Sequence, residues 1–84
     1  MNLSLLRAER VKRGVTQEIM ANSLGFKDKS SYCLMENGKT AISVDIANKI
    51  ANFLRFTPDL TYEIFFTNEV QETSTNTIIK QEVS

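Results

Sequence analysis

Residues 16–39 read TQEIMANSLGFKDKSSYCLMENGK, and the organisation of the chain follows from this stretch. Thr16 is a good helix N-cap, and Ile19, Met20 and Leu24 follow at helical spacing. Gly25 stops that short helix. Phe26 and Lys27 make a brief turn, and Asp28 is a second N-cap, for a helix running through Glu36. Asn37-Gly38 ends it, because both residues tolerate a left-handed backbone. Ala21 is small enough to let the second of these helices cross the first closely.

The pattern extends on both sides. Leu3, Leu6, Arg7, Arg10 and Val11 place a mixed stripe on a helix ending near Arg13, with Gly14 as its stop. After a loop through Thr40 and Ala41, Ser43 caps a fourth helix with Ile46, Ala47, Ile50, Ala51 and Leu54 on one face. Thr57 and Pro58 are a cap and first-position pair, and Leu60, Ile64 and Phe65 carry a fifth stripe. The expected fold is therefore all-α, a five-helix domain over residues 1–67. Residues 68–77 are polar and aperiodic, so residues 68–84 are expected to form a flexible tail. Its apolar Ile78, Ile79 and Val83 suit a short strand or a partner-docking peptide; the alternative is plain disorder.

Composition narrows the function. The chain has 84 residues, 42% hydrophobic and 24% charged. At this size folding buries about 60–65% of the unfolded surface, enough for one small core. No apolar run approaches the roughly 20 residues of a membrane span, and no secretion signal is evident, so a cytoplasmic location is expected. With no histidine and one cysteine, neither a Cys/His zinc site nor a histidine-based catalytic triad can be built. No cofactor, metal or enzymatic activity is expected. A redox role for Cys33 lacks a resolving thiol in the chain.

Formal net charge is zero, but it is unevenly spread. Through Lys39, seven cations (Arg7, Arg10, Lys12, Arg13, Lys27, Lys29, Lys39) outnumber Glu9, Glu18, Asp28 and Glu36, for a net of +3. The remainder carries −3. A basic half and an acidic half suit one charged binding face; the alternative is chance unevenness. Two short helices with a tight glycine turn are the logic of a helix-turn-helix, whose second helix enters the major groove of DNA.

The residues Leu6-Arg7, Arg10, Gly14, Thr16-Gln17, Ala21, Leu24-Gly25, Ser30-Ser31-Tyr32, Glu36-Asn37-Gly38-Lys39, Ser43, Ala47, Lys49-Ile50-Ala51 and Leu54 resemble, in this order, the Cro/C1-type (XRE-type) helix-turn-helix regulators, which include phage repressors. The turn after Gly25 is one residue longer than in the shortest members. The resemblance implies a lambda-repressor-like domain that binds double-stranded operator DNA. It implies a phosphate contact by Gln17 and a partly buried Arg10–Glu36 ion pair tying the first helix to the recognition helix. It also implies a loop of Asn37, Gly38, Lys39 and Thr40 along the DNA backbone, and dimerisation through Tyr62, Phe65 and Phe66.

The residues themselves fit these roles. Lys29 can donate to guanine or to phosphate, and Ser30 and Ser31 can donate or accept. Cys33 and Leu34 are apolar on a face where polar base readers are common, and Leu34 suits a thymine methyl. Lys27 adds a cation beside the helix. Tyr32 and Met35 point inward. A two-fold dimer predicts a near-palindromic operator, and occupation of a promoter predicts repression. The alternative is an interaction module, an antitoxin or anti-repressor, that docks a protein partner through the tail.

Overall fold

Among the described residues each of the five α-helices begins on a side-chain oxygen. In the computed structural model, which describes residues 1–67, five α-helices follow one another: α1 (Leu3–Lys12), α2 (Gln17–Ser23), α3 (Lys29–Glu36), α4 (Val44–Leu54) and α5 (Pro58–Thr61). A π-helical turn, Tyr62–Phe66, continues α5. Among the described residues there is no strand, and no helix is long and apolar enough to cross a membrane. The expectations for residues 68–84, including docking by Ile78, Ile79 and Val83, lie outside the described residues.

The caps sit where their chemistry places them. Thr16, Asp28, Ser43 and Thr57 accept from the backbone N–H of Ile19, Ser30, Ile46 and Leu60, each at 3.0–3.1 Å. Each satisfies one donor that the first helical turn leaves open, an effect of about 1 kcal/mol. Asn2 does the same for α1, accepting from Leu5 at 3.1 Å.

Four helices also end alike. After α2, Phe26 N–H reaches back to Ala21 O at 2.9 Å and Gly25 N–H to Asn22 O at 3.1 Å. After α3, Lys39 and Gly38 make the same pair of bonds, to Leu34 and Met35. This Schellman geometry needs a left-handed residue, which glycine supplies at Gly25 (φ +84°) and Gly38 (φ +80°). α1 closes in the same way, through Val15 and Gly14. At the end of α4 the left-handed residue is Arg55 (φ 62°), and Phe56 N–H donates to Ala51 O at 2.9 Å.

These ends fix the helices around one core. Leu6, Met20, Ala21, Tyr32, Ala47, Ile50 and Ile64 have no exposed surface. Burying a side chain the size of leucine or isoleucine stabilises by about 1.5–3 kcal/mol. Ala21 lies where α2 and α3 pack together, and its single methyl permits the close crossing. α4 buries Ala47, Ile50, Ala51 and Leu54, one face at helical spacing. Val11 and Ile19 were expected in apolar stripes but stand 59% and 44% exposed. Asn2 N–H donates to Ile64 O at 2.7 Å and ties the start of the chain to the π turn.

Candidate nucleic-acid interface

α3 buries Tyr32, Met35 and Glu36 and leaves the opposite side clear. Ser30, Leu34 and Asn37, four and three residues apart, make the exposed row. Lys29 is exposed on the first turn, and Ser31 and Cys33 are half-buried at the flanks. Leu34 is 43% exposed although apolar. The longer turn ends at Asp28, so the first residue of α3 is Lys29.

One carboxylate anchors this helix. Glu36 accepts from Arg10 Nε at 2.8 Å and Nη2 at 2.9 Å, from the Tyr32 hydroxyl at 2.7 Å and from Gln17 Nε2 at 3.0 Å. Arg7 Nε approaches at 3.4 Å. The four partners come from α1, α2 and α3, so all three helices meet at this group. Burial by itself pushes the Glu36 carboxyl up. The hydrogen bonds from Arg10, then Tyr32, then Gln17 outweigh it and hold the group below the usual carboxylate range. Burial, and then the bond to Glu36, push the Tyr32 hydroxyl far above its ordinary value. Arg10 also donates through Nη1 to Val15 O at 2.6 Å, so this buried side chain uses each of its three nitrogens inside the fold.

Other polar contacts limit what the remaining residues can offer. Gln17 is half-buried, and one N–H of its amide meets Glu36; the other N–H remains. Asp28 accepts from both the hydroxyl and the backbone N–H of Ser30. The hydroxyl bond first, and the backbone bond second, lower the Asp28 pKa. Asn37 Nδ2 donates to Cys33 Sγ at 3.4 Å, and Asn37 Oδ1 accepts from Arg7 Nη2 at 3.0 Å. The backbone N–H groups of Gly38, Lys39 and Thr40 all bond to α3 carbonyls. In this loop it is therefore the Lys39 ammonium and the exposed Thr40 side chain, not the backbone, that face outward.

The charges separate by role. Among the described residues Arg7, Arg10, Lys12, Arg13 and Lys49 each have a carboxylate within ion-pair distance. Lys27, Lys29 and Lys39, which bracket α3, are exposed and have none among the described residues, and the same holds for Arg55 at the end of α4. Arg13 belongs to the scaffold: it donates to Leu54 O at 2.7 Å and lies 4.9 Å from the Phe56 ring centroid.

In the π turn one expectation is corrected. Phe65 is 4% exposed and belongs to the core, so it cannot face a second subunit. Tyr62 and Phe66 are exposed at 60% and 44%. They line a cleft with Ala51, Phe56 and Pro58 between α4 and the segment from Phe56 to Phe66. Beside Glu36 and Asn37 the fold also places Arg7, which the sequence pattern had not singled out. Its spacing of three residues before Arg10, on the same helix face, was the available signal.

Fold and site together define a helix-turn-helix domain whose second helix has its outer face exposed among the described residues. A family model described as Helix-turn-helix matches residues 6–60, well over half of the chain. The chain belongs to this family, in its Cro/C1-type (XRE-type) form, and is a DNA-binding regulator. Comparison with curated proteins and with solved structures gives no match.

Proposed function

We propose that the chain is a sequence-specific repressor that occupies operator DNA in the cytoplasm as a homodimer. The observation that carries this reading is the set of unpaired cations around α3. Among the described residues Lys27, Lys29 and Lys39 have no carboxylate to abandon when they meet phosphate, so their counterion release contributes to binding. α3 enters the major groove. Lys29 reads guanine O6 and N7 or holds a phosphate, Ser30 and Ser31 contact base edges, and Leu34, with Cys33 beside it, packs on a thymine methyl. Gln17, Asn37, Lys39 and Thr40 hold the sugar-phosphate backbone and set the register, and Lys27 adds its charge.

Two copies related by a two-fold axis through Tyr62 and Phe66 present two α3 helices. A spacing of about 34 Å, one turn of DNA, matches successive major grooves and demands a near-palindromic operator. Selection from a random duplex pool tests this. The expected result is an enriched inverted repeat whose affinity falls steeply with salt. Recovery of no common sequence, or affinity indifferent to salt, overturns the reading.

A further inference from the structure

We propose that Arg7 contacts a backbone phosphate and so carries the DNA-facing surface from α3 onto α1. This inference rests on the reading of α3 and the loop from Asn37 to Thr40 as the face that meets DNA.

The three arginines of the first helical segment have separate fates. The Arg10 side chain is 9% exposed and is occupied by Glu36 and Val15 O. Arg13, 29% exposed, is taken up by Leu54 O and Glu9. The Arg7 side chain is 56% exposed, and its head lies beside the first residue after α3. Of the five N–H donors of a guanidinium, Arg7 gives one to Glu36 and one to Asn37. No described contact uses its Nη1.

Its grip on Glu36 is weak. The 3.4 Å separation exceeds the usual N–H···O distance of about 2.9–3.0 Å. The carboxylate is already held by Arg10, Tyr32 and Gln17 at 2.7–3.0 Å. Arg7 therefore keeps most of its charge for an outside anion.

The bond to Asn37 serves the same end. Arg7 takes Oδ1 and Cys33 Sγ accepts from Nδ2, so the amide is fixed with one N–H to spare. A phosphate in the cleft that Arg7 and Asn37 both line would meet the spare donors of the two side chains. Leu3, Ser4, Arg7, Glu36 and Asn37 line the cleft where it sits, and Ser4 is exposed there with a hydroxyl.

The test measures affinity for a selected duplex against salt concentration, in the full chain, for the parent, Arg7→Gln, Arg7→Lys and Ser4→Glu. The expected result is that Arg7→Gln lowers the magnitude of the log–log salt slope by about 0.9, the value for one phosphate contact, and weakens every sequence alike. Arg7→Lys keeps the slope. Ser4→Glu introduces an acid in the first turn of α1, where the helix dipole tolerates it, and weakens binding more at low salt than at high. A parent slope retained by Arg7→Gln, or Ser4→Glu binding unchanged at every salt, overturns the assignment. Should Arg7→Gln not fold, Ser4→Glu alone decides. Failure of the underlying reading looks different: the parent itself then shows no salt-dependent binding to any duplex.

Discussion

The Arg10 guanidinium meets the Glu36 carboxylate edge to edge, Nε to Oε2 at 2.8 Å and Nη2 to Oε1 at 2.9 Å, with both side chains out of water. Two parallel bonds of this kind fix orientation as well as distance. The pair joins α1 to the last turn of α3, and through Gln17 and Tyr32 it sets the pose of the helix-turn-helix. Its net effect on stability is not implied by its geometry, because two charges have been desolvated. Removing one partner is a different matter.

Glu36→Gln leaves Arg10 charged, buried and without a counter-ion. The expected loss is about 3–5 kcal/mol, read as a fall in the urea midpoint. The double variant Arg10→Met with Glu36→Gln removes the stranded charge and keeps an acceptor for Tyr32. It is expected to recover at least half of that loss. A double variant as unstable as the single one would sink the account of a stranded charge.

The same carboxyl makes stability depend on acid. Its pKa in the folded state is held below the ordinary 4.5. The stabilisation is therefore complete above that ordinary value and is lost as pH falls through the lower, folded-state value. Glu9 and Asp28 are also held low, by the hydrogen bonds from Arg13 and Ser30, and they contribute in the same sense, below their ordinary values of 4.5 and 3.8. Urea midpoints measured from neutral pH into acid are expected to fall less in the Arg10→Met with Glu36→Gln variant than in the parent. Parallel curves would show that Glu36 is not a source of the dependence. At the alkaline end the raised Tyr32 acts in the opposite sense, its contribution being lost as pH climbs beyond the ordinary 10.0.

Much of the fold was readable because its signals are local. Thr16, Asp28, Ser43 and Thr57 bond to backbone two or three residues ahead, so residue type alone places four helix starts. Gly14, Gly25 and Gly38 mark three ends for a similar reason. The end of α4 carried no such mark, because its left-handed residue is an arginine. The candidate site was legible along α3, where the buried and exposed faces alternate at helical spacing. Apart from the Arg10–Glu36 pair that the family resemblance implies, what joins α3 to other helices was not. The bonds of Arg7 to Asn37 and of Gln17 to Glu36 span 30 and 19 residues and depend on how the helices pack. Phe65 and Phe66 were not separable either: they are adjacent in an apolar band, and the π turn changes the angular step that would sort them.

Arg55 offers a stability gain. A side chain in the left-handed region costs about 1–2 kcal/mol, of which glycine's extra freedom in the unfolded chain takes back about 0.5–1. Arg55→Gly is therefore expected to stabilise by about 0.5–1 kcal/mol, visible as a higher thermal midpoint. Among the described residues no ion pair holds Arg55, so no partner is lost with it. An unchanged or lower midpoint would mean that its side chain contributes packing that offsets the strain.

Substitutions on the reading face separate specificity from affinity. Lys29→Ala and Leu34→Ala each remove a side chain from the exposed face of α3 and leave the core intact. Each is expected to cost about 1–3 kcal/mol on the selected operator and less on an operator changed at the position it reads. Gln17→Ala should weaken all duplexes by the same factor. Binding competition across single-base variants of the operator measures both. Equal losses on every sequence for Leu34→Ala would remove it from the reading face.

The dimer reading turns on two side chains that the fold leaves outside. Tyr62 is 60% exposed and Phe66 44%, while Phe65, whose ring centroid lies 6.3 Å from that of Phe66, is core. Tyr62→Glu sets a charge on the surface and removes no core contact. Sedimentation velocity is expected to show a monomer with a parent-like thermal midpoint, and the operator to be bound one half-site at a time. Phe65→Ala is expected instead to cost about 3–5 kcal/mol of folding stability, because it opens a cavity in the core. A Tyr62→Glu protein that sediments as the parent does would move the two-fold axis elsewhere on the surface.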